Sequence, residues 1–359
     1  MTHTYIIAEA GVNHNGSFSL AKQLIDVAKE AGADAVKFQT FKAENLVTKD
    51  AEQANYQVDN IGKMSSQYQM LKELELSFEE FVELKKYCDA QHVEFLSTPF
   101  DVESVDFLVD RLNLEKIKIP SGELTNIPFL HYIATKKRKM IVSTGMASME
   151  EIHEALAFIA FGLAFPEEKN IQYQNVMDYY RREETKTLLR KYVVVLHCTT
   201  EYPAPFDSIN LNAMHTISKE TNLDIGFSDH SKGIIIPVAA VAQGATIIEK
   251  HFTIDRNLLG PDHKASLEPD ELKDMVAAIR QVELALGSGE KEPMKVEIKN
   301  QAVARKSLVA LKPIQQGEQF TKENLGVKRP GIGISPEKYW SYLHKTARKF
   351  YSQDELIDE

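Results

Sequence analysis

The sequence has few cysteines, no surplus of basic residues and no long apolar run. Cys88 and Cys198 are the only cysteines among 359 residues, which excludes a disulfide-held scaffold and is typical of a reducing cytoplasm. The formal net charge is -10, whereas nucleic-acid binders usually carry a basic surplus. No apolar run approaches the roughly 18 residues of a spanning helix, and Glu9 comes too early for a signal peptide to form. We therefore expect a cytoplasmic protein with no nucleic-acid partner and no membrane partner.

The composition is that of an ordinary globular protein, with 43% hydrophobic and 26% charged residues. Short β-branched or aromatic runs alternate with helical patterns, as expected for an α/β fold. The eight runs that predict strands are 5–8, 35–38, 93–96, 116–119, 140–142, 192–196, 224–227 and 246–248. Their number and spacing predict a (β/α)8 TIM barrel over residues 1–287. A doubly wound sheet is disfavoured, because the segment 11–16 lacks the Gly-x-Gly-x-x-Gly fingerprint.

The pattern changes after Gly287. Residues 288–302 are polar and rich in Lys and Glu, which predicts a linker, and residues 303–359 carry short apolar runs with Gly/Pro turns. We predict a small second domain there, whose own core is marginal, so it should dock on another surface. Within the first domain, the long charge-rich interval 162–191 predicts a surface helix after the fifth strand rather than a lid.

Most predicted strands end in polar residues that are costly to bury without partners. In a barrel the carboxyl ends of the strands converge on one mouth, where active sites lie. Polar turns explain some Ser and Asp at these ends, but not the Lys, Glu and His. The residues concerned are Glu9, Lys37, Gln39, Ser97, Thr98, Lys118, Ser121, Glu123, Ser143, Thr144, His197, Cys198, Thr199, Ser228, Asp229, His230, Glu249, Lys250 and His251. Cys198 fits a small buried residue better than a nucleophile.

His230 and His251 end neighbouring predicted strands, so both rings can face the same mouth. Two imidazoles there suit a divalent transition metal whose shell is completed by water and substrate oxygens. Asp229 and Glu249 are candidates for orienting the two rings from behind. The alternative is that each is a satisfied core histidine. Two histidines on adjacent strand ends, each near a carboxylate, favour metal binding over two hydrogen-bonded core histidines.

Three lysines at strand ends, Lys37, Lys118 and Lys250, leave three interpretations open. With nearby hydroxyls they could bind a phosphate or carboxylate group. One lysine could instead form a Schiff base, or all three could form structural ion pairs with glutamates. The hydroxyls in question are Ser97, Thr98, Ser121 and Ser228, and the glutamates are Glu9, Glu123 and Glu249. Glu9 and Glu123 are also candidates for proton transfer, whereas Asp262 is more typical of a turn, with polyol binding as the alternative.

Taken in order, these motifs resemble the bacterial N-acetylneuraminate (sialic acid) synthase family over essentially the whole chain. The resemblance rests on the segments 7–16, 37–39, 97–101, 118–123, 143–147, 197–203, 228–231, 249–253 and 260–264. The last part of the chain resembles the antifreeze-like (SAF) β-clip domain, marked by Lys328-Arg329-Pro330-Gly331. Legionaminic acid synthases share these motifs, and the segments 201–206 and 265–269 resemble that branch as well.

The resemblance implies a metal-dependent condensation of phosphoenolpyruvate with the open-chain aldehyde of an N-acylated mannosamine-type sugar, giving a 2-keto acid and phosphate. It implies that His230 and His251 hold Mn²⁺ or Mg²⁺ and that Glu9, Glu123 and Lys118 are catalytic. The substrate-binding positions it implies are Lys37, Gln39, Thr98, Ser121, Thr200, Tyr202, Ser228, Asp262 and Arg329. Thr200 stands where some members carry Asn, so it keeps a hydroxyl but lacks the amide donor.

The resemblance also implies a homodimer in which each SAF domain covers the partner's barrel mouth and supplies Arg329. We place N-acetylmannosamine first as the sugar, with sialic acid as the product. The alternative is a legionaminic acid synthase that uses 2,4-diacetamido-2,4,6-trideoxymannose. A Schiff-base aldolase and a non-catalytic carbohydrate-binding protein are the remaining alternatives.

Overall fold

A computed structural model describes residues 3–61 and 65–358 of the chain. The chain divides into two compact units, Met1–Gly287 and Ser288–Glu359. The helices are α1 (Phe18–Ala31), α2 (Ala43–Leu46), α3 (Asn55–Ile61), α4 (Gln67–Leu74), α5 (Phe78–Gln91), α6 (Val102–Asp106), α7 (Ile127–Thr135), α8 (Met149–Ala164), α9 (Tyr173–Tyr180), α10 (Glu183–Tyr192), α11 (Ala213–Thr221), α12 (Ile235–Ala242), α13 (Pro269–Leu286), α14 (Lys295–Ala304) and α15 (Tyr339–Tyr342). Of the helices in the described ranges, none has both the length and the apolar character needed to cross a membrane.

The first unit is built on a parallel sheet. Within the described part of the chain its eight strands are β1 (Tyr5–Gly11), β2 (Ala35–Thr40), β3 (Glu94–Pro99), β4 (Lys116–Ile119), β5 (Lys139–Ser143), β6 (Val193–Cys198), β7 (Ile225–Asp229) and β8 (Ile247–His251). Hydrogen-bonded neighbours follow the order β3-β2-β1-β8-β7-β6-β5-β4, and β3 and β4, at the two ends of this order, pack against each other. The sheet therefore closes on itself, and the predicted TIM barrel is confirmed.

Alternate residues of each strand point into the barrel, as the period of two of a pleated strand requires. One inward layer is apolar and consists of Ile7, Ala35, Leu96, Ile141, Leu196 and Ile247. The intervening residues, for example Ile6 and Phe95, pack in the larger core that includes the surrounding helices. The next inward-facing positions towards the carboxyl ends of the strands are polar. Glu9 lies two residues after Ile7, and Glu249 lies two residues after Ile247. The barrel thus has a polar mouth above an apolar floor.

The connection from β2 to α5 contains three additional helices, α2, α3 and α4, which we call the β2–α5 excursion. Nothing in the sequence pattern predicted it. Met70 and Leu74 of α4 are buried in a cluster with Val12 and Phe41, so the excursion is fixed to the barrel by apolar packing. The charge-rich interval 162–191 contains α9 and α10, which are two largely exposed helices rather than the single predicted one.

The second unit has a small core of its own around the antiparallel pair β9 (Ser307–Ala310) and β10 (Leu325–Lys328). The buried residues of this core are Leu308, Ala310, Ile314, Phe320, Leu325, Ala347, Tyr351 and Ile357. Helix α14 begins inside the segment predicted as a linker, so residues 295–302 are helical. Their Lys/Glu-rich composition suits an exposed helix as well as a flexible linker. Arg329 is exposed, and its Nε donates a hydrogen bond to the Ala304 carbonyl at 3.0 Å.

His14, in the loop after β1, leads to a prediction about stability in acid. Its ring is buried, Nδ1 accepts a hydrogen bond from the Gly16 N–H at 3.1 Å, and Nε2 finds no partner in the described ranges. Burial lowers the pKa of His14 from 6.5 to about 4. Between these two values the unfolded chain binds the proton and the folded protein does not, so acidification lowers the free energy of unfolding by up to about 3 kcal/mol.

The variant His14→Asn should lose this contribution to the pH dependence, because an amide does not titrate but can still accept the hydrogen bond from Gly16. Urea unfolding of both proteins between pH 7 and pH 4 measures the difference. The difference in the free energy of unfolding between wild type and variant should narrow or reverse as the pH falls. A gap that stays constant over this range would show that His14 does not titrate as described.

Candidate active site

A cavity of about 350 Å³ opens at the carboxyl ends of the barrel strands. Its lining includes every residue of the first unit that the family resemblance implied as catalytic, substrate-binding or metal-binding: Glu9, Lys37, Gln39, Thr98, Lys118, Ser121, Glu123, Thr200, Tyr202, Ser228, His230, His251 and Asp262. Arg329 lies in the second unit. The convergence follows from the topology, because all parallel strands of a closed barrel end at the same rim. A larger cavity of about 620 Å³ also borders Cys198 and Thr200 and is lined by hydroxyl, amide and apolar side chains and by His197.

Two lysines and two glutamates form a buried charge cluster in this cavity. Lys37 Nζ lies 2.8 Å from Glu9 Oε2 and 3.7 Å from Glu249 Oε2, and donates a hydrogen bond to Thr98 Oγ1 at 3.0 Å. Lys118 Nζ lies 3.6 Å from Glu249 Oε1. All four charged side chains are at most 5% exposed, so each depends on the others for compensation of its charge.

Burial and neighbouring charges separate the pKa values of the two glutamates. Burial raises the pKa of Glu9 to about 7, although Lys37 opposes the rise. Burial acts in the same direction on Glu249, but Lys118 and Lys37 outweigh it and hold the pKa of Glu249 below its ordinary value. Burial lowers the pKa of Lys118, whereas the pKa of Lys37 is raised because Glu249 and Glu9 outweigh burial. Glu249 is therefore the charge partner of the lysines, and Glu9 is the group that can exchange a proton near neutrality.

The rings of His230 and His251 face each other across the cavity, with their centroids 5.6 Å apart. Nδ1 of His230 donates to the Thr199 carbonyl at 2.6 Å, which leaves the lone pair on Nε2, 3.4 Å from Ser228 Oγ. Nδ1 of His251 has no hydrogen-bond partner within the described residues and lies 3.9 Å from Asp262 Oδ2. Burial lowers the pKa of both rings, so both are neutral at physiological pH. The Tyr202 ring packs against them, 4.1 Å from His230 and 5.5 Å from His251.

This donor set fits a divalent ion that takes part of its coordination from outside the protein. Neutral imidazoles are good ligands for transition metals. Nδ1 of His251 is buried and has no hydrogen-bond partner within the described residues, and its lone pair would coordinate a metal ion. No group of three or more His, Cys, Asp or Glu side chains with metal-binding geometry occurs among residues 3–61 and 65–358. An ion on His230 and His251 would therefore need substrate oxygens and water to complete its shell.

Three of the sequence-based expectations at the mouth are wrong. Lys250 does not face the cavity: its Nζ lies 2.5 Å from Asp229 Oδ2 and also donates to the Ser231 carbonyl. Asp229 is therefore occupied by Lys250 and does not orient His230, whose orienting partner is the Thr199 carbonyl. Glu249 accepts a hydrogen bond from Ser228 Oγ at 2.9 Å and contacts the lysines rather than His251.

The expectation that the Ser97 hydroxyl helps the lysines to bind an anion is also wrong. This hydroxyl points away from the cavity and forms a hydrogen bond with Thr40 Oγ1 at 2.7 Å. The physical reason is the same alternation that places Thr98 inward and its neighbour outward. Ion pairs between the lysines and glutamates were one of the three open interpretations. Such pairs form for Glu9 and Glu249, whereas Glu123 forms none within the described residues. Glu123 is half-buried and accepts a hydrogen bond from Asn126 at 2.6 Å, and burial raises the pKa of its carboxyl.

Hydroxyl groups converge beside the charge cluster around the backbone of Gly145. Ser121 Oγ accepts a hydrogen bond from the Gly145 N–H at 2.9 Å and lies 3.1 Å from Cys198 Sγ. A Cβ on Gly145 would overlap Thr200 Oγ1, so only glycine allows this approach. The buried hydroxyls of Thr200 and Ser143 have no hydrogen-bond partner within the described part of the chain, which leaves both free for a ligand.

Glu249, Ser143 and Tyr56 are among the residues of the cavity lining that sequence reasoning did not select as site residues. Glu249 was assigned a supporting role, although its period-two spacing to His251 was a signal that it faces inward. Ser143 ends a predicted strand but was not selected as a site residue. Tyr56, from α3, reaches the cavity through the β2–α5 excursion, and its ring lies 5.2 Å from the Tyr202 ring. No local pattern around Tyr56 indicated this.

The chain is similar to known proteins over its whole length. Residues 24–291 match the NeuB family and residues 305–357 match the SAF domain. A Campylobacter jejuni protein, N,N'-diacetyllegionaminic acid synthase, is 49% identical over 100% of both chains. A Legionella pneumophila protein of the same name is 46% identical over 93% of this chain and 87% of its own length. The crystal structure of a sialic acid synthetase from Leptospira borgpetersenii is 33% identical, covers 83% of this chain and 90% of its own, and has a TM-score of 0.66.

Proposed function

The chain belongs to the NeuB family, and on this premise we propose that it is a phosphoenolpyruvate-dependent nonulosonic acid synthase. The predicted family resemblance and the predicted SAF domain are both confirmed by the matches over residues 24–291 and 305–357. The observation that carries the proposal is the presence of two buried lysines and two facing neutral imidazoles in one cavity. This arrangement suits a substrate with several negative charges and an aldehyde whose oxygen becomes negative during reaction.

In the proposed reaction C3 of phosphoenolpyruvate attacks the aldehyde carbon, water adds at C2 and phosphate leaves, so that the products are a 2-keto acid and phosphate. Lys37 and Lys118 would hold the anionic groups of phosphoenolpyruvate, assisted by hydroxyls. The hydroxyls that line the cavity near them are those of Thr98, Ser121, Ser143, Thr200 and Ser228. Glu9, whose pKa burial raises to about 7, and Glu123 would exchange the protons that these steps require.

We further propose that His230 and His251 hold Mn²⁺ or Mg²⁺. When bound, such an ion would polarise the aldehyde oxygen as a Lewis acid. The protein's own contribution is to keep both imidazoles neutral by burial and to fix the His230 ring through the Thr199 carbonyl. Tyr202 packs on both rings and limits their rotation.

The relatives bear on the identity of the sugar. Both N,N'-diacetyllegionaminic acid synthases are more similar to this chain than the solved sialic acid synthetase, at 49% and 46% against 33% identity. This supports 2,4-diacetamido-2,4,6-trideoxymannose over N-acetylmannosamine, which the sequence had placed first. We therefore propose legionaminic acid synthesis as the activity and sialic acid synthesis as the second candidate.

The experiment that tests the activity offers phosphoenolpyruvate with each candidate sugar and follows phosphate release and the mass of the keto-acid product. We expect product with the trideoxy sugar. Borohydride trapping of pyruvate on a lysine would instead support a Schiff-base aldolase. Binding of sugar without any phosphate release would support a non-catalytic carbohydrate-binding protein.

We also propose a homodimer in which the SAF domain of one subunit supplies Arg329 to the sugar of the other. The Arg329→Ala variant should raise KM for the sugar by about 10- to 100-fold, because a charge-assisted hydrogen bond is worth about 1.5–3 kcal/mol, and leave KM for phosphoenolpyruvate nearly unchanged. Arg348→Ala is the matched control, since Arg348 is also exposed in the second unit. Unchanged sugar kinetics in Arg329→Ala, or a fully active monomer by solution mass, would refute this proposal.

A further inference from the structure

The β2–α5 excursion gives the cavity one wall that differs from the rest of its lining. Its apolar members are Leu46, Val47, Met70, Leu71 and Leu74, and Tyr56, Gln57 and Gln67 complete it. Met70 and Leu74 are buried in the cluster with Val12 and Phe41, so their role is structural. Leu46, Val47 and Leu71 are only partly buried and border the open volume of the cavity. These three side chains, which we call the apolar wall, are available to contact a ligand.

The excursion is attached at two places: Leu46 and Leu71 pack against Val12 and Phe41, which directly follow β1 and β2, and α3 contacts the histidine side of the cavity. The Tyr56 ring packs 5.2 Å from the Tyr202 ring, which in turn contacts His230 and His251. Asn60 Nδ2 donates a hydrogen bond to the Pro261 carbonyl at 2.6 Å, next to Asp262. The lysines and hydroxyls that suit phosphoenolpyruvate lie in the remaining part of the lining. The charged groups of phosphoenolpyruvate suit these lysines and hydroxyls and not leucine or valine, so the apolar wall is left to contact the sugar.

We infer that Leu46, Val47 and Leu71 select the sugar by receiving the deoxygenated, N-acylated end of a 6-deoxy amino sugar. This inference rests on the proposed function. A C6 methyl group and an acetamido methyl group gain free energy when they are buried against leucine and valine. A hydroxyl placed on the same surface loses its hydrogen bonds to water without replacement. Gln57 and Gln67, which also line the cavity, supply amides that suit the polar part of an N-acyl group.

Kinetics with two sugars test the inference. Wild-type protein should show a kcat/KM for 2,4-diacetamido-2,4,6-trideoxymannose at least about 10-fold above that for N-acetylmannosamine, the discrimination that an apolar pocket typically provides. Leu71→Gln should reduce this ratio by about 10-fold, because its amide can accept and donate hydrogen bonds to hydroxyls. Val47→Thr keeps the shape of the side chain and should shift the ratio in the same direction, which guards against a folding defect in the first variant. KM for phosphoenolpyruvate should not change in either variant.

The matched control is Leu284→Gln, the same substitution at a leucine of α13 that is 69% exposed and does not line the cavity. It should leave the ratio at its wild-type value. If wild-type protein turns over neither sugar, the proposed function fails. If it turns over both sugars and the ratio is near one, or if Leu71→Gln and Val47→Thr lower both activities equally, the proposed function stands and the selection by the apolar wall is overturned.

Discussion

Replacing His251 with alanine is expected to lower kcat/KM by at least about 100-fold, since a bound divalent ion supplies several kcal/mol of transition-state stabilisation. The truncation leaves a single imidazole of the facing pair, whose centroids are 5.6 Å apart in the intact protein. The described residues offer no third His, Cys, Asp or Glu that would complete a ligand cluster in its place. His230→Ala should have the same effect for the same reason. Steady-state kinetics with saturating Mn²⁺ measure the loss.

The control for this prediction is His131→Ala. His131 is also buried and burial also lowers its pKa, but it lies in α7 and does not line the cavity. Mn²⁺ titration followed by electron paramagnetic resonance should show tight binding to wild type and to His131→Ala and a loss of binding to His251→Ala. Wild-type protein treated with EDTA should lose activity and recover it with Mn²⁺ or Mg²⁺. Full activity in metal-stripped protein would rule out the proposed metal site.

The apolar runs located the eight strands of the barrel but ended several of them too early. The pattern ended the seventh strand at 227 and the eighth at 248, whereas β7 extends to Asp229 and β8 to His251. Apolarity marks residues that face a core, but the last inward residues of a barrel strand face a cavity and are polar. The backbone continues its hydrogen bonding regardless of the side chains. Ser228 and His251 therefore belong to the strands and not to the turns after them, and His230 directly follows β7.

The wrong assignment of Lys250 has the same origin. Treated as a turn residue, Lys250 could point anywhere, but within β8 it must point away from Glu249 and His251. Its ammonium is then buried outside the cavity and requires a carboxylate, which Asp229 supplies from the equivalent outward position of β7. The correct strand boundary would have been sufficient to predict both this pair and the inward position of Glu249.

The contribution of the β2–α5 excursion could not be predicted in this way. Leu71 reaches the cavity because α4 packs on Val12 and Phe41, and Tyr56 of α3 lies against Tyr202; these partners are distant in sequence. Such packing depends on tertiary contacts that no local periodicity encodes. The residues of the charge cluster were predictable because barrel topology alone brings strand ends together. The residues proposed to select the sugar were not, because they depend on how the additional helices between β2 and α5 pack on the barrel.

Replacing Lys118 with methionine is the second change for which we expect a large effect, a rise in KM for phosphoenolpyruvate of at least about 30-fold. Lys118 Nζ lines the cavity and is 3.6 Å from Glu249. Methionine keeps much of the apolar stem but removes the charge, so one of the two cations that we propose for the substrate anion is lost. The buried carboxylate of Glu249 is then compensated by Lys37 alone. Truncation of one partner in a buried charge pair costs about 2–5 kcal/mol, which is about 30-fold or more in affinity.

Lys116→Met is the matched control, because Lys116 lies two residues earlier on β4 and is also paired with a glutamate, at 2.7 Å from Glu94. Lys116 does not line the cavity, so its loss should affect the free energy of unfolding but leave KM for phosphoenolpyruvate within about twofold. Thermal unfolding of both variants separates stability from binding. If Lys116→Met raised KM as much as Lys118→Met, the effect would come from a weakened barrel and not from a lost anion contact. In that case the role of the charge cluster in phosphoenolpyruvate binding would have to be abandoned.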